Sequence, residues 1–407
     1  MILKRNWIEY LSVLIFSLGS GLILLFQLYF TEVFHFSIMQ SAILLAMASG
    51  GQLSGSLLGK KYINLVDFIL KKYNKLTISP LYLGLVILSF AAAILLLLLS
   101  FNKLFFLFVV LCFLLGFVLA LFYPPIQTIF FEGLSVKQAM IANAFQRWAV
   151  NLGMAISLTL LSFSTHHPKI LFLSLSFAML ISTLLLSRKL NTKQYFDKIK
   201  KAVLIKTQDL VTTKNILLWG AGVFLGVFIF FQTISAYPMY LFHHYGIGSS
   251  LFSRLMLINI LLVLTLQFFV PLLERVMSIH LIAAVGILLM GFGMAVVAFH
   301  FHYSIILSFI VWSVGEIMIF GAAPVYIKIF AGADDNKSLQ YSTCFYFLSY
   351  LAKMIGPFIG GILYDGLQGS DMILVGILSL SVISVTPFLI FYLQRERLFP
   401  EGAITVG

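Results

Sequence analysis

A lone carboxylate, Glu316, stands within the otherwise uncharged run Ser304–Ala323. Placing a charge at the centre of an apolar span costs about 2.5–3.5 kcal/mol, so something must compensate it. Withdrawal from water disfavours the charged form of a carboxyl group. A group poised in that way can take up and give back a proton, or bind a solute. The structural alternative is a neutral or ion-paired Glu316 that ties its helix to a neighbour. Arg147 and Lys353 are the cations set deepest in apolar segments. They either bind solute or take part in proton coupling, form a structural ion pair, or extend their charged heads to an interface. Arg254 lies nearer a segment end, where extension to the interface is the simpler reading. Two cations against one anion favour an anionic, zwitterionic or neutral solute over a lipophilic cation. Gln27, Gln127, Asn143, Gln146, Trp148, Asn151, Gln232 and Tyr237 are polar groups in apolar surroundings that can supply hydrogen bonds or stacking. Each can equally be an interhelical hydrogen-bond partner.

The elements that must hold these residues are membrane spans. The chain has 407 residues, of which 61% are hydrophobic and 10% charged, whereas soluble domains average about 25% charged. Crossing a bilayer takes about 20 helical residues, and helices satisfy their own backbone groups there. Twelve such stretches are expected, near 8–30, 38–59, 78–100, 104–127, 141–163, 169–187, 215–241, 250–273, 280–299, 303–327, 341–364 and 371–393. The first follows Lys4 and Arg5 but has no small-residue cleavage site, so it is expected to be retained.

Charge gives the orientation. Lys and Arg fall almost wholly at the termini and in the even-numbered connections, as with Lys60, Lys61, Lys71, Lys72 and Lys75, and only Lys103 and Lys169 lie in the opposite ones. The positive-inside rule therefore puts both termini in the cytoplasm. The net charge of +12 then reflects topology and contact with anionic lipid rather than nucleic-acid binding. The expected setting is the plasma membrane, the inner membrane of a prokaryote.

The longest connection, from Arg188 to Lys214, divides the spans six and six. The expected organisation is a six-helix half over 1–187, a basic central loop over 188–214, a second six-helix half over 215–394 and a tail over 395–407. A weak internal repeat supports duplication: Pro125 precedes Gly133 by the same interval that separates Pro324 from Gly332.

Over essentially its whole length the chain resembles the major facilitator superfamily. Within it, Gly315-Glu316-Ile317 followed by Pro324 resembles the tenth span of the drug:proton antiporters. Gln232 with Pro238, and Lys353, also resemble positions in that group. Gly356-Pro357 with Gly360-Gly361 is similar to the superfamily's small-residue packing run, which lets helices approach closely. Two motifs depart from the pattern. The loop after the second span reads Gly55-Ser56-Leu57-Leu58-Gly59-Lys60-Lys61, without the usual gating acid, and the fifth span has Gly153 without a Gly-Pro pair. Gln146 and Ile234 stand where multidrug exporters place acids.

The resemblance implies an all-α fold of twelve transmembrane helices in two pseudo-repeat halves, working as a monomeric secondary transporter rather than an enzyme. The expected activity is proton-coupled export of an amphipathic small molecule, a drug or secreted metabolite, with anionic or neutral solutes favoured. The alternatives are a proton-coupled importer of a polar metabolite, lipid flipping, or a non-transporting scaffold. Glu316 is the expected proton-coupling residue. Arg147, Lys353, Gln127, Asn143, Gln146, Gln232 and Tyr237 are expected to bind substrate. Glu132 resembles the acid that closes the cytoplasmic gate, or is simply an interfacial carboxylate balanced by Lys137.

No cofactor is expected. The chain has no phosphate-cradling GxxxxGK[ST] loop, so a proton gradient takes the place of ATP. Apart from His280 the histidines, His35, His166, His167, His243, His244, His300 and His302, fall on the external side in separate loops, with no cluster of ligating acids, so no metal is expected. Cys112 and Cys344 lie inside spans and read as small packing residues.

Overall fold

The computed structural model describes residues 6–18, 36, 38–73, 77–102, 104–163, 168–190, 213–247, 249–332, 334–367 and 370–393. Within these the chain is helical, joined by turns. The helices are α1 (Asn6–Leu18), α2 (Ile38–Lys72), α3 (Pro80–Phe101), α4 (Phe105–Phe131), α5 (Val136–Phe163) and α6 (Pro168–Ser187), followed by α7 (Thr213–Gln232) and α8 (Ala236–Tyr245). After these come α9 (Ser249–Leu266), α10 (Val270–Leu273), α11 (Ile279–Ala295), α12 (Ser304–Ala322), α13 (Val325–Ala331), α14 (Asp335–Gly366), α15 (Met372–Ser384) and α16 (Thr386–Leu393). Lys4, Arg5, Gln27, His35, His166, His167 and most of the central loop lie outside the described residues.

Among the described residues, nine helical stretches are long and apolar enough to cross a membrane. The first, second and fifth of the twelve expected spans are not in that set. The first is described only over Asn6–Leu18. The second and fifth are helical, but α2 carries Gln52, Ser54 and Ser56, and α5 carries Asn143, Gln146, Arg147 and Asn151, which dilute their apolar character. Helices polar in this way need water, solute or other helices against their polar groups, not lipid.

Several spans are interrupted where proline removes a backbone donor. The stretch Ser304–Ala331 breaks between α12 and α13 at Pro324, and Thr213–Tyr245 breaks between α7 and α8 just before Pro238. The Pro324 break frees the carbonyl of Phe320. Asn143 donates through Nδ2 to that carbonyl at 3.0 Å and to Gly321 O at 3.0 Å. The neighbouring Ala323 carbonyl accepts from Trp219 Nε1 at 3.1 Å. Asn143 of α5 thus replaces the donor that proline removed, and Trp219 of α7 satisfies a second carbonyl at the break.

Close helix packing rests on small residues. A Cβ added at Gly116 would overlap the carbonyl of Ala48, and one at Gly51 or Gly55 would overlap the carbonyls of Phe113 and Phe117, so α2 and α4 meet backbone to backbone. In the same way α11 and α12 meet through Gly286 and Gly315, where an added Cβ on Gly315 would lie 2.6 Å from Gly286 O. Helix neighbours recur along the chain. In the first half α4 packs on α2 and α3, and α3 on α6; in the second α12 packs on α9 and α11, and α11 on α15. Gly133 and Gly332 both adopt left-handed backbone, at φ 65° and 58°. Glycine takes that conformation without steric penalty.

By internal contacts the chain forms two compact units. One comprises Met1–Gly133, Phe145–Lys206 and Ala331–Tyr350; the other comprises Leu134–Ala144, Thr207–Phe330 and Leu351–Gly407. Replacing Gly116 with alanine should lower the melting temperature of the purified protein, at an overpacking cost of about 1–3 kcal/mol. Gly376→Ala, where the added Cβ meets open space, should leave it unchanged; thermal unfolding followed by size exclusion reads both.

Candidate functional site

Glu316 is buried, 5% exposed, on α12. Its Oε2 accepts from Asn259 Nδ2 on α9 at 2.7 Å, and the same Nδ2 reaches Ser313 Oγ at 3.1 Å. Ser313 in turn donates to Phe309 O one turn back. The carboxyl therefore sits in a small buried polar node between α9 and α12. A charged carboxylate gains from the Asn259 donor, while burial disfavours it. Asn259 was visible as one amide within Leu255–Leu264, but spacing alone could not say that it faces Glu316.

Glu316 is not the only buried carboxylate. Glu9, at the start of α1, is fully buried. Its Oε1 accepts from the Tyr82 hydroxyl of α3 and lies 3.6 Å from Lys189 Nζ just past α6. This arrangement ties the ends of three helices together. Glu9 falls at the edge of the expected span 8–30, where solvent would ordinarily reach it.

In the first unit Gln127 on α4, Gln146 on α5 and Tyr346 on α14 converge. The Tyr346 hydroxyl donates to Gln127 Oε1 at 3.0 Å and accepts from Gln146 Nε2 at 3.3 Å. Gln127 and Gln146 are 1% and 3% exposed. The Tyr346 ring lies 5.4 Å from Tyr123 and 6.3 Å from Tyr350, centroid to centroid. Arg147 acts on Tyr346 electrostatically. Sequence reading named both glutamines and Arg147 but missed the tyrosines; Tyr346 and Tyr350, one helical turn apart on a common face, were the available signal.

The remaining candidates are placed differently. Asn143 spends its amide on the carbonyls beside Pro324, as described above. Gln232 donates to Phe228 O at 3.2 Å and Gly356 O at 3.1 Å, and accepts from Ser235 Oγ at 3.2 Å, clasping α7 to α14. A Cβ at Gly360 would overlap Gln232 Oε1, whereas one at Gly361 meets nothing, so only part of the glycine run serves this contact. The Tyr237 hydroxyl is paired with Ser308 Oγ at 2.5 Å and its side chain is fully buried. Arg147 and Lys353 are partly buried on α5 and α14, and each interacts with neighbours. Glu132 is the C-terminal cap of α4, partly buried and engaged. Lys137 acts on Glu274, whose carboxyl burial raises above the usual range while Lys137 lowers it.

The histidines are less scattered than their loops suggested, and an acid does accompany them. Asp371 accepts from the Tyr240 hydroxyl and lies 3.6 Å from His300 Nε2. The other ring nitrogen of His300 is 2.9 Å from the Tyr245 hydroxyl, and His244 stacks on Tyr240 at 4.2 Å. Among the described residues no group of three or more His, Cys, Asp or Glu is placed to hold a metal ion. Cys112 and Cys344 are free thiols.

Helices of this length and apolarity, with polar nodes enclosed between them, define a polytopic membrane protein. The chain belongs to the Major Facilitator Superfamily, whose profile matches residues 79–357. Membership makes it a non-catalytic carrier of small molecules across a membrane, and a proton gradient is an energy source consistent with it. No curated protein matches it in sequence. In structure it is similar to the human organic anion transporter MFSD10 (TETRAN), with a TM-score of 0.68 at 12% identity over 95% of this chain and 97% of that one. It is also similar to the proton:xylose symporter XylE bound to 6-bromo-6-deoxy-D-glucose, with a TM-score of 0.63 at 15% identity over 98% and 96%. At these identities the likeness is one of fold.

The Asp371 carboxyl is held below its ordinary value of 3.8, first by the Tyr240 hydrogen bond and, against an opposing contribution from burial, by His300 and His244. A depressed carboxyl contributes stability that is complete above the ordinary value and lost as pH falls through the folded one. Asp371→Asn should therefore lower the melting temperature at neutral pH, and the gap from the parent should close only below about pH 4. A gap that persists undiminished to about pH 2 would show that the Asp371 charge is not its cause.

Proposed function

We propose that the chain is a proton-coupled secondary carrier of a small polar solute, with Glu316 as the group that takes up and gives back the proton. The observation that carries this reading is the Glu316–Asn259–Ser313 node. A buried carboxyl with an amide donor has a partner for its charged form, while burial itself favours its neutral form. Changing partners during a conformational cycle would change its proton affinity. The driving force is the proton gradient, worth about 2.3 kcal/mol per charge per 100 mV.

With this reading goes the twelve-span plan of two six-helix halves, both termini cytoplasmic, rocking about a midplane site. The recurrence of helix neighbours and of the left-handed glycines supports the duplication. The basic residues of the even-numbered connections support the orientation.

Symport of a polar metabolite is the preferred direction. The Gln127–Tyr346–Gln146 cluster offers neutral hydrogen-bonding groups, which suit a polar solute better than a lipophilic one. The named solutes of the two similar structures, an organic anion and xylose, are polar as well. Export of an amphipathic molecule is the second reading, and it rests on the resemblance of Gly315-Glu316-Ile317 and Pro324 to drug:proton antiporters.

Reconstitution in liposomes containing a pH dye distinguishes them. Solute and protons moving in the same direction is the expected result, and counterflow would replace symport with export. Glu316→Gln should abolish solute-driven proton movement while preserving exchange of labelled for unlabelled solute. Undiminished proton movement in that variant over pH 5.5–8 would overturn the assignment of Glu316.

A further inference from the structure

The two buried amides beside Tyr346 are only half satisfied. Gln127 Nε2 and Gln146 Oε1 are buried with no hydrogen-bond partner, whereas Gln127 Oε1 and Gln146 Nε2 are both taken by the Tyr346 hydroxyl. An unmet buried donor or acceptor costs about 1–3 kcal/mol. The pattern is the same when the ends of both amides are exchanged together. A hydroxyl has one hydrogen to give, so exchanging the ends of both amides still leaves one donor and one acceptor over.

What the Tyr346 hydroxyl does here defines the ligand chemistry. It gives a hydrogen to one amide and takes one from the other, and the residual donor and acceptor call for a second group that does the same. Two adjacent hydroxyls satisfy all four amide positions. A carboxylate supplies acceptors only and would set its charge against two amide oxygens. An ammonium supplies donors only and would leave both amide nitrogens unmet. A ring is favoured as the carrier of these hydroxyls, because the Tyr346 ring lies against those of Tyr123 and Tyr350. Tyr123 is itself anchored by its hydroxyl, 3.4 Å from the fully buried Ser17 Oγ, which already gives its hydrogen to Val13 O.

We propose that Gln127 and Gln146 form a binding site for a neutral ring compound bearing adjacent hydroxyls, with the Tyr346 phenol occupying part of it as a built-in competitor. The proposal rests on the carrier function above and specifies the class of its solute. Release of Tyr346 exposes both amides, and the incoming diol replaces the phenol's two hydrogen bonds and meets the two unmet groups.

The test measures binding to the purified full-length protein in nanodiscs by titration calorimetry. The probes are catechol and D-glucose as aromatic and saturated diols, phenol as a single hydroxyl, and benzoate and benzylammonium as charged rings. Saturable binding of one or both diols, tighter than that of phenol, benzoate and benzylammonium, is expected; which diol binds tells an aromatic from a saturated solute. Gln127→Met and Gln146→Met, which keep side-chain length, should each weaken diol binding about tenfold or more. Tyr346→Phe should tighten it about three- to tenfold, because the competitor loses its hydrogen bonds. A merely structural Tyr346 would weaken binding when truncated, and that result would overturn the competitor role. Preference for benzoate or benzylammonium, no diol binding to folded protein, or diol binding unmoved in both glutamine variants would overturn the site. Proton movement that Glu316→Gln abolishes, driven by a solute of another class, would reject the diol and retain the carrier function. Diol binding with proton movement insensitive to Glu316→Gln would do the reverse.

Discussion

In an apolar solvent, a polar group without a partner is the costliest feature a helix can carry, and most of this structure follows from pairing such groups. Where proline removes a backbone donor at position 324, the Asn143 amide of α5 supplies the lost hydrogen bond to Phe320 and reaches Gly321, and the Trp219 indole of α7 meets the Ala323 carbonyl beside them. Where a carboxyl is buried, an amide or phenol is drawn to it, as with Asn259 at Glu316 and Tyr82 at Glu9. Apolar packing cannot supply this specificity, because lipid tails compete equally well for leucine and phenylalanine. Glycine then brings helix backbones together where those pairings must be held, as along α2 with α4 and α11 with α12.

The sequence discloses the elements because their signal is local. A run of about 20 apolar residues is a span whatever its neighbours are, and the expected limits lie within a few residues of α3, α4 and α6. The polar candidates were legible as residues but not as partners. Gln232 and Tyr237 look on paper like Gln127 and Gln146, yet the first pair is fully engaged by Gly356 and Ser308 while the second retains unmet groups. That difference is decided by residues over 70 positions away in the chain, and no periodicity encodes it. Glu9 was obscured for a related reason: its burial depends on α3 and α6 closing over the end of α1. The histidines likewise read as separate loops until His300 and Asp371, brought together by the helix ends, formed a pair.

The long helices α5 and α14 each contribute residues to both compact units. Along α5, Asn143 lies in the unit that contains Glu316, whereas Gln146 and Arg147 lie in the other, within a single helical turn. Along α14, Tyr346 and Tyr350 lie in the first unit and Lys353 and Gly356 in the second, where Gln232 clasps the backbone. A helix is stiff over such distances, since its backbone bonds span four residues and share the load. Motion that disturbs the Asn143 contacts beside Pro324 therefore also displaces Gln146, and motion of the clasped part of α14 also displaces Tyr346. Because α12 carries Glu316 together with the Phe320 and Gly321 carbonyls that Asn143 holds, the carboxyl and α5 are joined through one helix and two hydrogen bonds. On the proposed roles of Glu316 and the two glutamines, coupling of proton to solute would then need no contact between them.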